Sequence, residues 1–145
     1  MRMDRFTTAA QQALAEAQAD ALNRNNPELI GTHVLHALLK DKSGPACSIL
    51  AKAGADAGRV ASVALSELDR QPKVSGGGGN AGRATLELLA KADEFSKKMG
   101  DQYVTAEHLL MALVEVPGPA KEILSISGAS RRSIEDAVKA IREAS

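Results

Sequence analysis

Three histidines, one cysteine, one glycine run and one pair of carboxylates are the places where this sequence could do chemistry. His33 and His36 are three residues apart, a spacing that puts both on one helix face. A zinc-protease helix needs two histidines four apart with a glutamate between them, and a structural zinc site wants four ligands. The one cysteine, Cys47, cannot complete such a set, so no metal site is expected. Gly77 and Gly82 have P-loop spacing, but Arg83 and Ala84 follow them. Phosphate binding needs Lys and then Ser or Thr at those two positions, so the run reads as a linker. Cys47 lies among Ala46, Ile49 and Leu50, the surroundings of an inert thiol. No G-x-S-x-G elbow supplies a nucleophile. Asp101 and Glu107 are the carboxylate pair. They fall in a loop and at a helix start, where the helix dipole stabilises an acidic side chain. No acid–base partner accompanies them, and no catalytic centre is expected. His33 and His108 read as packing histidines at helix starts.

The elements that carry these residues occur twice. Gly31-Thr-His-Val-Leu-His-Ala-Leu-Leu39 is echoed by Ala106-Glu-His-Leu-Leu-Met-Ala-Leu-Val114, with His33 and His108 separated by 75 positions. Leu14 and Ala17 meet Leu89 and Ala92 at the same offset. Gly44-Pro45-Ala46 returns as Gly118-Pro119-Ala120 at an offset of 74, as does Gly54-Ala55 at Gly128-Ala129. The offset changes in a turn between helices, where deletions are tolerated.

Each copy reads as four helices. Residues 5–24 carry a narrow stripe of Ala10, Ala13, Leu14, Ala17 and Ala21. A second helix runs from Thr32 to about Lys40. The third opens at Pro45, where a missing N–H costs nothing, and Gly54 closes it. Asp56 caps the fourth, whose inner face is Val60, Val63, Ala64 and Leu68. Leu88, Ala92, Phe95 and Met99 mark the fifth helix, Leu109, Leu110, Leu113 and Val114 the sixth, and Ile134, Ala137, Val138 and Ile141 the eighth. The seventh starts at Pro119. No segment reads as a strand. The expected fold is all-α: eight helices in two four-helix repeats, 1–70 and 84–145, related by an approximate twofold. A flexible Gly-rich linker, 71–83, would join them into one domain, 1–145. Between the repeats a groove is expected that could take a peptide.

Composition limits the partners. Formal net charge is zero and no basic face stands out, which argues against nucleic acid. Aromatics are 2% of the chain, so the core is aliphatic. No apolar run approaches the roughly 20 residues of a membrane span, the N-terminus has no apolar signal region, and a lone cysteine fits a reducing compartment. A cytoplasmic location with no membrane partner is expected.

Glu107-His-Leu-Leu-Met-Ala-Leu113, His33-Val-Leu-His-Ala-Leu-Leu39 and Gly100-Asp-Gln-Tyr-Val104 together resemble the amino-terminal repeat domain of the Clp ATPases. The likeness spans essentially the whole chain. The start Met1-Arg-Met-Asp-Arg-Phe-Thr7 and the connector Leu68-Asp-Arg-Gln-Pro-Lys-Val74 are closest to the disaggregase branch. The resemblance implies a non-enzymatic, monomeric domain that takes exposed apolar segments of unfolded or aggregated polypeptides. The parent would be a homohexameric ATPase working with the DnaK system, with ATP and magnesium held in modules absent here. The alternative is an adaptor-docking domain of the protease-associated branches. By the resemblance, Thr7, Asp101 and Glu107 are the polar positions around the substrate surface. Leu89, Tyr103 and Leu110 are added as apolar neighbours on spacing. Where the second copy has Glu107, the first has Thr32, so the two copies are not chemically equivalent.

Overall fold

A computed structural model describes residues 3–145. Met1 and Arg2, part of the starting signature, lie outside the described residues. The described residues form eight α-helices, after one 3-10 turn at Met3–Arg5. In order they are α1 (Thr8–Asn23), α2 (Gly31–Lys40), α3 (Pro45–Lys52), α4 (Ala57–Asp69), α5 (Arg83–Lys98), α6 (Ala106–Leu113), α7 (Pro119–Ile126) and α8 (Arg131–Ala144).

Local chemistry sets the boundaries. Thr7 caps α1 by accepting from the Ala10 amide, and Asp56 caps α4 by accepting from the Arg59 amide. Pro45 and Pro119 occupy first helical positions. Gly100, with φ 71°, sits just past α5 in the left-handed region that glycine enters without a Cβ clash. The expected start of the first helix at residue 5 moves to Thr8, because Thr7 is extended and holds the cap.

Two short strands correct the expectation of none. β1 (Glu28–Leu29) runs parallel to β2 (Asn80–Ala81), with Leu29 opposite Ala81. An isolated parallel bridge joins Phe6 to Val104. These are one contact drawn twice: Ala81 lies 75 residues after Phe6, and Val104 lies 75 after Leu29. Each segment before a first helix pairs with the segment before the opposite second helix.

Helix packing shows the same exchange. α3 packs on α6 and α8, while α7 packs on α2 and α4. Each third helix therefore lies in the other half, and one hydrophobic core runs through both. Phe6, Leu35, Leu50, Leu68, Leu109, Leu110, Leu124 and Ile134 are at most 2% exposed. The glycine run is also anchored rather than simply flexible. The Val74 amide donates to the Asn25 carbonyl at 2.7 Å and the Gly79 amide to the Asn26 carbonyl at 2.8 Å. A Cβ on Gly78 would come within 2.4 Å of that Asn26 oxygen. Glycine, expected to loosen this stretch, lets it lie against the 24–26 turn instead.

Candidate functional site

Both histidines at the helix starts are fully buried and do the work of caps. The His33 Nδ1 accepts from the Ile30 amide at 3.0 Å, and the His108 Nδ1 accepts from the Thr105 amide at 2.9 Å. A nitrogen that accepts carries no proton, so each neutral ring holds its proton on Nε2. There His33 donates to Asn26 Oδ1 at 2.8 Å and His108 to Asp101 Oδ2 at 2.7 Å. Burial pushes both imidazoles below their ordinary pKa; for His108, Asp101 partly opposes this. Each histidine thus spans from a loop to the first turn of a helix, which is a structural task. The packing role read for the pair holds, with hydrogen bonds added to the packing.

Asp101 and Glu107 meet through a residue that spacing did not single out. Arg142 reaches back from α8 and grips Asp101 with two nitrogens, at 3.1 and 2.8 Å. The second of those nitrogens also donates to Glu107 Oε1 at 3.0 Å. The fork holds the Asp101 carboxyl below the usual carboxylate range, and the two acids raise the guanidinium further above its own. The pair is therefore an ion cluster with Arg142 at its centre. The only signal in the sequence is the offset of 74 that sets Arg142 opposite Leu68.

The remaining expected site residues divide by exposure. Thr7 is half-buried, donates its amide to the Val104 carbonyl at 3.0 Å and uses its hydroxyl as the α1 cap. Tyr103, next in the chain to Val104, is 48% exposed. Leu110 is 0% exposed and Leu89 is 9% exposed. Both are corrected to core residues: they lie on the inner stripes of α6 and α5, and spacing alone cannot tell an inner stripe from a groove wall.

A cleft opens where α1, α2 and α3 meet the start of α6. Ala9, Ala13, Leu38, Pro45, Ala46 and Ala106 line it, with Gln12, Glu16, Lys40 and Asp41 supplying its polar lining, and its volume is about 430 Å³. Ala9 is two residues from Thr7 and Ala106 adjoins Glu107. Shifted by 75 or 74, these apolar positions become Ala84, Leu88, Leu113, Pro119, Ala120 and, in the reverse direction, Gly31. Those residues line a cleft of only about 70 Å³. Leu88 fills there the space that Ala13 leaves open. A Cβ on Gly31 would stand 3.1 Å from Leu113, so the closed side uses glycine where the open side has Ala106. Cys47 is half-buried, with Sγ 3.6 Å from the Leu39 carbonyl, and burial raises its pKa. No group of three or more metal-ligating side chains occurs among the described residues, and no described helix is long and apolar enough to cross a membrane.

A helical bundle whose halves interlock, with an open aliphatic cleft and a separate ion cluster, is the class of molecule these features define. The chain belongs to the family described as "Clp repeat (R) N-terminal domain", which matches residues 5–127. It is 36% identical over 142 residues to the chaperone protein ClpB of Rhodopirellula baltica, covering 97% of this chain and 16% of that protein. Likeness to ClpB of Bacteroides thetaiotaomicron is 32% over 143 residues, covering 99% and 17%. The chain thus spans about one sixth of the length of these relatives. The fold is that of the Hsp104 N-terminal domain from Candida albicans, with a TM-score of 0.81, 22% identity and coverage of 94% and 91%. It is also that of the N-terminal domain of the ClpV1 ATPase from E. coli, with a TM-score of 0.79, 21% identity and coverage of 92% and 83%.

Proposed function

We propose that this chain is the polypeptide-recruiting amino-terminal domain of a ClpB-type disaggregase. The observation that carries the reading is the open cleft of about 430 Å³, walled by small aliphatic side chains. Alanines leave room for a guest's bulky side chains, and a shallow apolar trough favours exposed hydrophobic segments over folded surfaces. Thr7, two residues before Ala9, and Glu107, next to Ala106, flank the cleft in sequence. The domain itself is a non-enzymatic, monomeric binding module. Hexamerisation, ATP and magnesium chemistry, cooperation with a DnaK system and a cytoplasmic setting belong to the proposed parent.

The test is a titration of labelled chain with one model protein in its unfolded and folded forms. Unfolded chains should perturb amides of Ala9, Ala13, Leu38 and Ala106, and the folded form should not. Ala13→Leu, which imports the side chain that closes the other cleft, should weaken binding at least fivefold with a change in stability below about 1 kcal/mol. Equal response to both forms, or undiminished binding by Ala13→Leu, would refute the reading. A tight one-to-one complex with a single folded partner would instead support the adaptor-docking role of ClpC- or ClpA-type domains.

A further inference from the structure

Ala9 of α1 and Ala106 of α6 both line the open cleft, and the chain ties the segments that lead into them. Two residues before Ala9, the Thr7 amide donates to the Val104 carbonyl at 3.0 Å. Two residues before Ala106, the Val104 amide donates to the Arg5 carbonyl at 2.8 Å. An isolated bridge of this length is a weak tie. The Arg5 side chain adds to it. Its guanidinium donates to Asp93 Oδ1 at 2.6 Å and to Ser96 Oγ at 3.2 Å on α5, and to the Gln102 carbonyl at 3.3 Å. One residue thus fastens the lead-in of α1 both to α5 and to the loop that runs into α6. The planar fork of arginine suits three acceptors at separate angles, and the point charge of lysine does not. Ser96 has no exposure and donates to the Asp93 carbonyl at 2.8 Å, so α5 itself sets the receiving end.

The closed cleft is tied in another way. The position equivalent to Arg5 is Asn80, whose amide turns back to the Gly77 carbonyl at 3.0 Å. Those equivalent to Asp93 and Ser96 are Gln18 and Ala21, so α1 offers no carboxylate or hydroxyl for such a strap. Instead the Thr85 hydroxyl, in the first turn of α5, donates directly to the Leu29 carbonyl. The counterparts of Thr85 and Leu29 are Ala10 and Val104, and alanine has no hydroxyl to give. The first turn of α5 is pinned by its own side chain, whereas α1 is held through its lead-in. We infer that Arg5 is the positioning residue of the open cleft. It touches no guest, and it sets the separation of Ala9 and Ala106 by holding residues 5–7 against 102–104. This rests on the cleft reading given above.

Arg5→Ala in the full chain, at a temperature where it stays folded, tests the inference. Asp93 keeps Lys97 at 3.1 Å, so the variant leaves no unpaired carboxylate. Exchange of the Thr7 and Val104 amides should quicken about five- to tenfold, the span of a partly exposed charge-assisted tie. The core amides of Leu50 and Leu124 should quicken less. Affinity for an unfolded model protein should fall about two- to fivefold. A residue that only stabilised the fold would leave that affinity unchanged. Arg5→Lys keeps a cation for Asp93 without the fork, and should recover part of the protection and part of the affinity together. Unchanged exchange at Thr7 and Val104 would overturn the inference. So would unchanged affinity in Arg5→Ala where Ala13→Leu weakens binding, and the cleft reading would then stand. Undiminished binding by Ala13→Leu would remove the cleft reading and this inference with it.

Discussion

The two halves solve one folding problem with different chemistry. In the first, His33 binds the neutral amide of Asn26, whose nitrogen turns to the Pro72 carbonyl at 3.0 Å. Leu68, at the position equivalent to Arg142, has no exposure. In the second, Asn26 is replaced by Asp101, Leu68 by Arg142 and Thr32 by Glu107. Three apolar or neutral groups have become a cation between two carboxylates. The histidine, its tautomer and the amide its Nδ1 accepts from are kept, and in the second half Nδ1 also lies 3.2 Å from the Thr105 hydroxyl. The cap is therefore what the fold requires at this place. The ion cluster is present in the second half and not at the equivalent positions of the first.

The comparison breaks first at Leu68. If the halves were interchangeable, Leu68→Arg would be absorbed as Arg142 is. The repeat offset sets Asn26 and Thr32 where Asp101 and Glu107 stand in the second half, so the new charge would be buried without a carboxylate partner. A loss of about 3–5 kcal/mol in urea-unfolding stability is expected. A loss below about 1 kcal/mol would show that the first half can build the same cluster.

Leu88→Ala tests the clefts in the same way. It removes the side chain that closes the smaller cleft, and should lower stability by about 2–3 kcal/mol, the lower part of the range for buried leucines. It should also give the second half a cleft that responds to unfolded chains, seen as new amide shifts at Ala84 and Ala120. Stability loss without new shifts would mean that cleft volume does not decide binding.

Arg142→Leu imports the first half's residue and leaves Asp101 and Glu107 facing each other. Arg142 is about a third exposed, so solvent screening reduces the loss to about 1–2 kcal/mol. Adding Asp101→Asn should recover part of that loss, since the pair then matches Leu68 with Asn26. A double-mutant cycle by thermal unfolding measures the coupling. Strict additivity would remove the idea that these two positions changed together.

How much of this was readable in the sequence depends on how local each signal is. Caps and stops are local: Thr7, Pro45, Gly54, Asp56 and Pro119 stand where the helices begin or end, and the helix stripes gave most of the core. The offset of 75 exposed the repeated elements. It did not show that α3 and α7 lie in opposite halves, because a stripe says that a face is buried and not against what. Two-residue strands have no periodicity to detect, so β1 and β2 were missed. The ion pair of Asp101 with Arg142 spans 41 residues and leaves no local pattern. For the same reason Leu110 and Leu89 were read as apolar neighbours of the substrate surface when both are buried in the core.

The smallest expected effect concerns protonation. Both buried imidazoles have lowered pKa values, so each contributes stability that is full above the ordinary histidine value of about 6.5. That contribution falls as pH drops towards the folded pKa, because the unfolded chain binds the proton first. Protonating Nδ1 would also set it against the amide it accepts from, at Ile30 or Thr105, and open the first turn. The partners at Nε2 differ: a carboxylate favours the imidazolium and an amide does not. His108 should therefore titrate above His33 when ring resonances are followed from pH 8 to 4. Asp101→Asn should bring His108 down towards His33 and leave His33 unmoved. If the two already titrate together in the unaltered chain, the Asp101 charge is spent wholly on Arg142 and the halves are electrostatically alike at their histidines.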